Sequence, residues 1–165
     1  MKKGLSGLDI RALIDEIPMA QVIRPGGLGP QKAPRIQEAL RRVLAERGEF
    51  DLGFLAELSV ADALAWLTSL DGVGPKTAAI VMLFCFGRPA FPVDTHITRV
   101  SRRLGLAAAN TPPEKIERVW EAAAPAEWYF NLHIDLIRHG REVCRAPTPR
   151  CATCVLRDIC QYPHK

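Results

Sequence analysis

The chain has 165 residues, 48% hydrophobic and 24% charged, with a formal net charge of +4. That length suits one compact unit or two small lobes with a real core. No run of about 18 apolar residues occurs, and the N-terminus has no apolar leader core, so a membrane-spanning reading is excluded and the chain reads as soluble and intracellular. The positive balance, carried mostly by arginine, is compatible with nucleic acid without establishing it.

Taken in order, Met1 to Gly7 is a frayed lead. Leu8, Leu13, Ile14 and Ile17 suggest a short helix, and Met19 to Ile23 a second, before a loop at Arg24-Pro25-Gly26-Gly27. A clearer helix is expected over 34–47, with Ile36, Leu40, Val43 and Leu44 on one face and Gly48 as its stop. Its other face, Arg35, Glu38, Arg42 and Glu46, reads as a solvated surface. Ser59 and Asp62 form a capping box for a helix holding Leu64 and Leu67.

The stretch from Leu70 to His96 organises the rest. Leu70-Asp71-Gly72-Val73-Gly74-Pro75-Lys76-Thr77 reads as a helix end, a glycine turn and a new helix start. Glycines let a backbone approach a phosphate closely, and the first amides of the new helix face that position. The new helix carries Ala79, Ile80, Leu83 and Phe84; it is apolar nearly all round and is expected to be buried, with Cys85 as an inert core thiol. A helix over 76–86 is about 16 Å long, and the return over 87–93 spans up to about 23 Å. Lys76 and Asp94 can therefore meet. Lys76, expected to be partly buried at the positive end of a helix, would be biased toward the neutral amine needed for nucleophilic attack. Asp94 is also placed to cap a helix running through Ile97, Val100 and Leu104 to Gly105.

Thr111-Pro112-Pro113-Glu114 reads as the cap of a helix with Ile116, Val119 and Trp120, and a last helix covers about 127–140. No period-2 strand is present, so the fold class is all-α. The chain divides into a helical lobe, 8–126, and a C-terminal helix with a cysteine-bound tail, 127–165.

Four of the five cysteines fall in the tail as Cys144-x6-Cys151-x2-Cys154-x5-Cys160. In an intracellular chain such clustering points to a metal rather than to disulfides. Spacing leaves both a structural zinc and an iron–sulfur cluster open. His96, His133 and His139 read as packing or surface residues rather than ligands.

Together, Leu70-x-Gly-Val-Gly-x-Lys76-Thr-Ala, Val93-Asp94-Thr-His96-x-x-Arg99 and the cysteine tail resemble the endonuclease III family, helix-hairpin-helix Gly/Pro…Asp DNA glycosylases. The resemblance covers about residues 8–162 and implies a [4Fe-4S] cluster on Cys144, Cys151, Cys154 and Cys160. It implies that Lys76 attacks C1′ of a flipped damaged nucleotide and that Asp94 activates the lysine or stabilises the sugar's developing charge. A lysine there implies a bifunctional glycosylase with AP lyase activity, with oxidised pyrimidines the family default; base flipping is required because the sugar carbon is shielded in the duplex.

The resemblance also implies DNA contacts at Gly72, Val73, Gly74 and Thr77, a monovalent cation at the hairpin, and further phosphate contacts from Arg145 and Arg150. The partner would be double-stranded DNA with a damaged base or abasic site, and the location cytoplasmic, at the nucleoid. Family members usually begin with further helices before the point matching residue 8. The expected fold is accordingly N-terminally shortened: either the chain is naturally short, its start has been misassigned, or a second copy or another protein covers the exposed core. The competing reading is a non-catalytic or partner-dependent iron–sulfur DNA-binding module.

Overall fold

The structure, a computed structural model, describes Ile14 and residues 18–162. Its helices are α1 (Met19–Val22), α2 (Gly29–Arg47), α3 (Val60–Thr68), α4 (Pro75–Phe86), α5 (Thr95–Leu104), α6 (Pro113–Ala123) and α7 (Tyr129–Glu142). Short 3-10 turns punctuate them, two of these in the C-terminal loop at Cys151–Thr153 and Arg157–Ile159. No strand occurs among the described residues, in keeping with the all-α reading. The helix expected over residues 8–17 lies outside the described residues except for Ile14, which is helical and buried.

Local chemistry sets several boundaries as the sequence suggests. The Ser59 hydroxyl accepts from Asp62 N at 3.1 Å at the start of α3. Gly48, Gly87 and Gly105 close α2, α4 and α5 in the left-handed conformation. Other boundaries differ. α2 begins at Gly29, five residues before Pro34, because Pro30 already occupies its first turn and the helix tolerates a second proline inside. Ile36 is on an exposed face, and Gly29, Ala33 and Val43 are the buried positions. The cap of α6 is Pro112 with no side-chain cap bond, so Thr111 does not serve; its carbonyl instead accepts from Arg102 at 2.8 Å.

The charged face of α2 is more than a solvated surface. Arg42 pairs with Glu46 at 2.6 Å and donates to the Ser69 carbonyl at 2.7 Å. Glu46 accepts from the Trp66 indole at 3.0 Å. α2 thus braces the end of α3, where the glycine turn begins.

Two apolar clusters make the core. One joins Leu55, Ala63, Leu67, Ala78, Ala79, Met82 and Ala90; the other joins Leu83, Phe91, Val93, Ile97, Val100, Ile116, Tyr129 and Leu136. α4 contributes to both, with Ala78, Ala79 and Met82 toward α3 and Leu83 toward α7. Fully buried Phe91 packs against Trp120 and Tyr129 at centroid distances of 5.8 and 5.5 Å. Burial of such a ring contributes about 1.5–3 kcal/mol relative to leaving it in water.

The expectation that α4 is buried all round is corrected: Phe84 is 41% exposed and Cys85 is an exposed thiol. A helix that is apolar on every side carries no signal of which face turns inward, and here only the Ala78–Met82 side meets α3. Phe84 leans on Phe130 of α7 at 4.8 Å. α7 also lies against α5, and Gly140 makes that approach possible: a Cβ there would come within 2.8 Å of His96 Cβ.

Candidate active site and cysteine loop

The turn between α3 and α4 is held in one shape by its glycines. Gly72 has φ +80°, a conformation that favours glycine, and a Cβ there would meet Arg35 Cδ at 2.7 Å. Gly74 caps α4 in extended conformation, with open space where its Cβ would be, and Pro75 follows in the first turn. Residues 68–74 line an open cleft of about 560 Å³. The first amides of α4, including those of Lys76 and Thr77, have no partner within the helix. Val73 anchors the turn by packing on the first apolar cluster.

Lys76 enters from the second position of α4 and Asp94 from the N-cap of α5. Both line one cleft of about 390 Å³, together with Val93, Thr95, His96, Thr98, Pro113 and Arg141. An adjoining cavity of about 180 Å³ shares Lys76, Val93 and Pro113 and extends to Glu114 and Glu117. Asp94 Oδ1 accepts from Ile97 N at 2.8 Å, so the carboxylate does cap α5; its other oxygen has no partner among the described residues. Lys76 is exposed rather than partly buried, because burial along α4 starts only at Ala78.

Two further titratable groups border this site. His133 of α7 is buried, its Nδ1 2.9 Å from the Pro92 carbonyl. It thereby holds the backbone two residues before Asp94. Burial pushes its pKa down; the Pro92 carbonyl and Asp94 oppose that, and Lys76 reinforces it. Glu117 is pushed up to about 7, first by burial and then by Glu121 and Glu114.

The four tail cysteines are half-buried free thiols around one apolar cavity that also involves Val100, Leu104 and Val143. Arg103 of α5 donates to Cys144 Sγ at 3.3 Å and to the carbonyls of Arg145 and Ala146 at 2.7 and 2.8 Å. His139 Nε2 lies 3.7 Å from Cys154 Sγ, and the Cys160 thiol donates to the Arg103 carbonyl at 3.3 Å. Arg99 donates to the carbonyls of Gly140 and Cys144 at 2.7 and 2.9 Å. No group of three His, Cys, Asp or Glu among the described residues is placed to hold a single metal ion. Arg145 and Arg150 are exposed on this loop and do not line the Lys76 cleft.

Residues 9–125 match the family described as HhH-GPD superfamily base excision DNA repair protein. The chain belongs to that superfamily.

Among HhH-GPD relatives it is 36% identical over 154 residues to endonuclease III of Sulfolobus acidocaldarius, covering 93% of this chain and 64% of the relative. It is 38% identical over 144 residues to endonuclease III of Escherichia coli, covering 87% and 63%. In structure it is similar to a non-covalent endonuclease III–DNA complex, with a TM-score of 0.73 and 34% identity over 87% of this chain and 63% of the other. A trapped endonuclease III–DNA covalent intermediate gives a TM-score of 0.72 at the same identity and coverage. The chain thus spans just under two thirds of the length of these relatives.

Within this HhH-GPD chain the structure brings Lys76 and Asp94 to one cleft, Gly72, Val73, Gly74 and Thr77 to one turn, and the four cysteines to one cavity. Sequence reasoning assigned no role to Arg103, Glu117 or Arg141, and read His133 only as a packing or surface residue, which its burial bears out. Arg99 stood inside a quoted motif, also without a role. The signal for the two α5 arginines was their spacing: Arg99 and Arg103 are one turn apart on a helix whose apolar face was evident.

Proposed function

We propose that this protein is a DNA glycosylase with AP lyase activity, acting on duplex DNA at damaged bases, oxidised pyrimidines in the first place, and at abasic sites. The observation that carries the reading is the shared cleft of Lys76 and Asp94, reached from two helix starts. The exposed Lys76 amine attacks C1′ of a nucleotide turned out of the stack. The C1′–N bond breaks, the base leaves with the electron pair and takes up a proton, and the sugar ring opens to a Schiff base on Lys76. Loss of a C2′ proton then expels the 3′ phosphate by β-elimination, and water releases the amine. The free oxygen of Asp94 faces the charge that develops on the sugar, while Oδ1 remains on Ile97 N. Flipping is needed because C1′ is shielded in the duplex.

The glycine turn supports non-specific hold on the DNA backbone through the amides at Gly72, Val73, Gly74 and Thr77, with a monovalent cation at the turn. Arg145 and Arg150 add phosphate contacts from the cysteine loop. With DNA as the substrate, the location proposed is the cytoplasm at the nucleoid.

Cys144, Cys151, Cys154 and Cys160 are proposed to hold a [4Fe-4S] cluster. Four thiols share one apolar cavity, and Arg103 donates to one of the sulfurs, as suits anionic thiolates. No group of three His, Cys, Asp or Glu among the described residues is placed to hold a single metal ion, and the choice of cluster over zinc rests on the cysteine spacing shared with the endonuclease III family. The cluster would supply a covalent staple for the loop and an electron-transfer centre.

The test is borohydride trapping on a duplex with one abasic site, comparing the protein with Lys76→Ala. A covalent adduct formed by the parent and not by the variant is expected. DNA binding with no adduct from either would overturn the lyase reading and favour an iron–sulfur DNA-binding module.

A further inference from the structure

Arg141 stands in the last turn of α7 and lines the same cleft as Lys76 and Asp94. The other arginines of α5 and α7 are committed to partners within the chain. Arg138 faces Glu142 at 3.8 Å, Arg99 donates to the carbonyls of Gly140 and Cys144, Arg102 to that of Thr111, and Arg103 to those of Arg145 and Ala146. Arg141 is exposed and has no hydrogen bond or ion pair among the described residues. Its guanidinium keeps all five N–H donors available in a planar fork that matches a phosphate bidentately.

The site around it is polar and fixed. Thr95, His96 and Thr98 of α5 line the same cleft. The preceding residue, Gly140, lies so close to His96 that the last turn of α7 is pressed onto the first turn of α5. The backbone of Arg141 is therefore set relative to Asp94 by packing. Two cations, Lys76 and Arg141, share the cleft with one carboxylate that already caps a helix. That balance leaves a position for an anion beside the reacting group.

We propose that Arg141 is a phosphate-binding residue of this cleft, holding the DNA backbone phosphate that flanks the nucleotide attacked by Lys76. The proposal rests on the glycosylase reading for its substrate. It deepens that reading by assigning a contact inside the catalytic cleft rather than on the glycine turn or the cysteine loop. A basic residue in the last turn of a helix also favours the helix by itself, and the experiment separates the two roles.

The 165-residue protein is measured for binding to a duplex carrying a tetrahydrofuran abasic analogue, which cannot form a Schiff base. Parent, Arg141→Gln and Arg141→Lys are compared across a salt series. Each duplex is also made with one uncharged methylphosphonate in turn at the phosphates flanking the analogue. Arg141→Gln is expected to weaken binding about tenfold and to lower the salt slope by about one. Arg141→Lys should recover most of the slope and part of the affinity. In the parent, one methylphosphonate position should cost about the same tenfold; in Arg141→Gln that position should cost nothing further, as expected for two halves of one contact.

Parent-like affinity and slope in Arg141→Gln overturn the proposal, as does a methylphosphonate cost that persists unchanged in the variant. Equal weakening by inorganic phosphate competition at every position, with no single sensitive phosphate, also overturns it, because the site would then be a general anion site. If Arg141→Gln melts below the parent, the methylphosphonate scan of Arg141→Lys against the parent decides. Because no chemistry is needed, a failure of the trapping experiment at Lys76 leaves this result readable by itself.

Discussion

Arg103 and Cys144 stand 41 residues apart and are joined by an N–H···S contact of 3.3 Å, with the neighbouring carbonyls of Arg145 and Ala146 held by the same guanidinium. The helix that begins at Asp94 therefore carries, two turns on, the clamp for the cysteine loop. Tyr162 completes it from the far side, its ring 4.4 Å from the Arg103 guanidinium. Arg103→Ala is expected to leave the carbonyls of this loop without their donors and to cost about 2–3 kcal/mol. Thermal denaturation measures the loss, and iron per chain should fall with it if the loop holds a cluster.

Asp94 has two duties, and two substitutions separate them. Asp94→Asn keeps a side-chain oxygen for Ile97 N and should lower stability by only a few tenths of a kcal/mol; Asp94→Ala should cost about 1 kcal/mol. Both remove the charge and should slow the proposed glycosylase reaction by about 100-fold or more. Comparison of melting curves with single-turnover rates tests this, and an active Asp94→Asn would show that the aspartate only caps α5.

Gly72 holds a positive φ of +80° and sits against Arg35. Gly72→Ala must strain the backbone and displace the arginine side chain, so a loss of about 1–2 kcal/mol is expected. The turn's cleft should open or shift with it, and affinity for undamaged duplex should drop. Binding titrations on undamaged DNA check the second part, since the contacts proposed for the glycine turn are to the DNA backbone.

Glu117 gives a pH dependence of stability with a definite sign. Its carboxyl is held protonated up to about 7, largely by burial, against 4.5 without that environment. Between those values the unfolded chain loses a proton that the folded chain keeps, so this residue makes stability fall as pH rises through that window and level off above 7. Glu117→Gln should remove the fall, gaining about 1–2 kcal/mol at pH 8 relative to pH 4.5 once solvent screening is allowed for. Denaturant unfolding of parent and variant at the two pH values measures it; a difference that does not change with pH would contradict the assignment.

The features legible in the amino-acid sequence were those set by short-range chemistry. The glycine turn, the Ser59 and Asp94 caps, the glycine stops of α2 and α5 and the cysteine spacing each depend on residues within a few positions of one another. Backbone sterics and capping bonds decide these regardless of what packs later, and the motifs built from them were enough to indicate the fold class and the family.

Tertiary structure alone decided what depends on distant partners. α4 is apolar on all sides, so only packing against α3 and α7 determined that Cys85 and Phe84 face outward. The charges of α2 acquired partners at Ser69 and Trp66, more than 15 residues away, which no local pattern encodes. Lys76 and Asp94 could be placed within reach by counting residues, yet their common cleft follows from α4 and α5 packing into one core, and the entry of Arg141 into it from Gly140 letting α7 close onto α5. Contacts of that kind are fixed by the sum of packing over the whole chain, and a single sequence read segment by segment does not contain them.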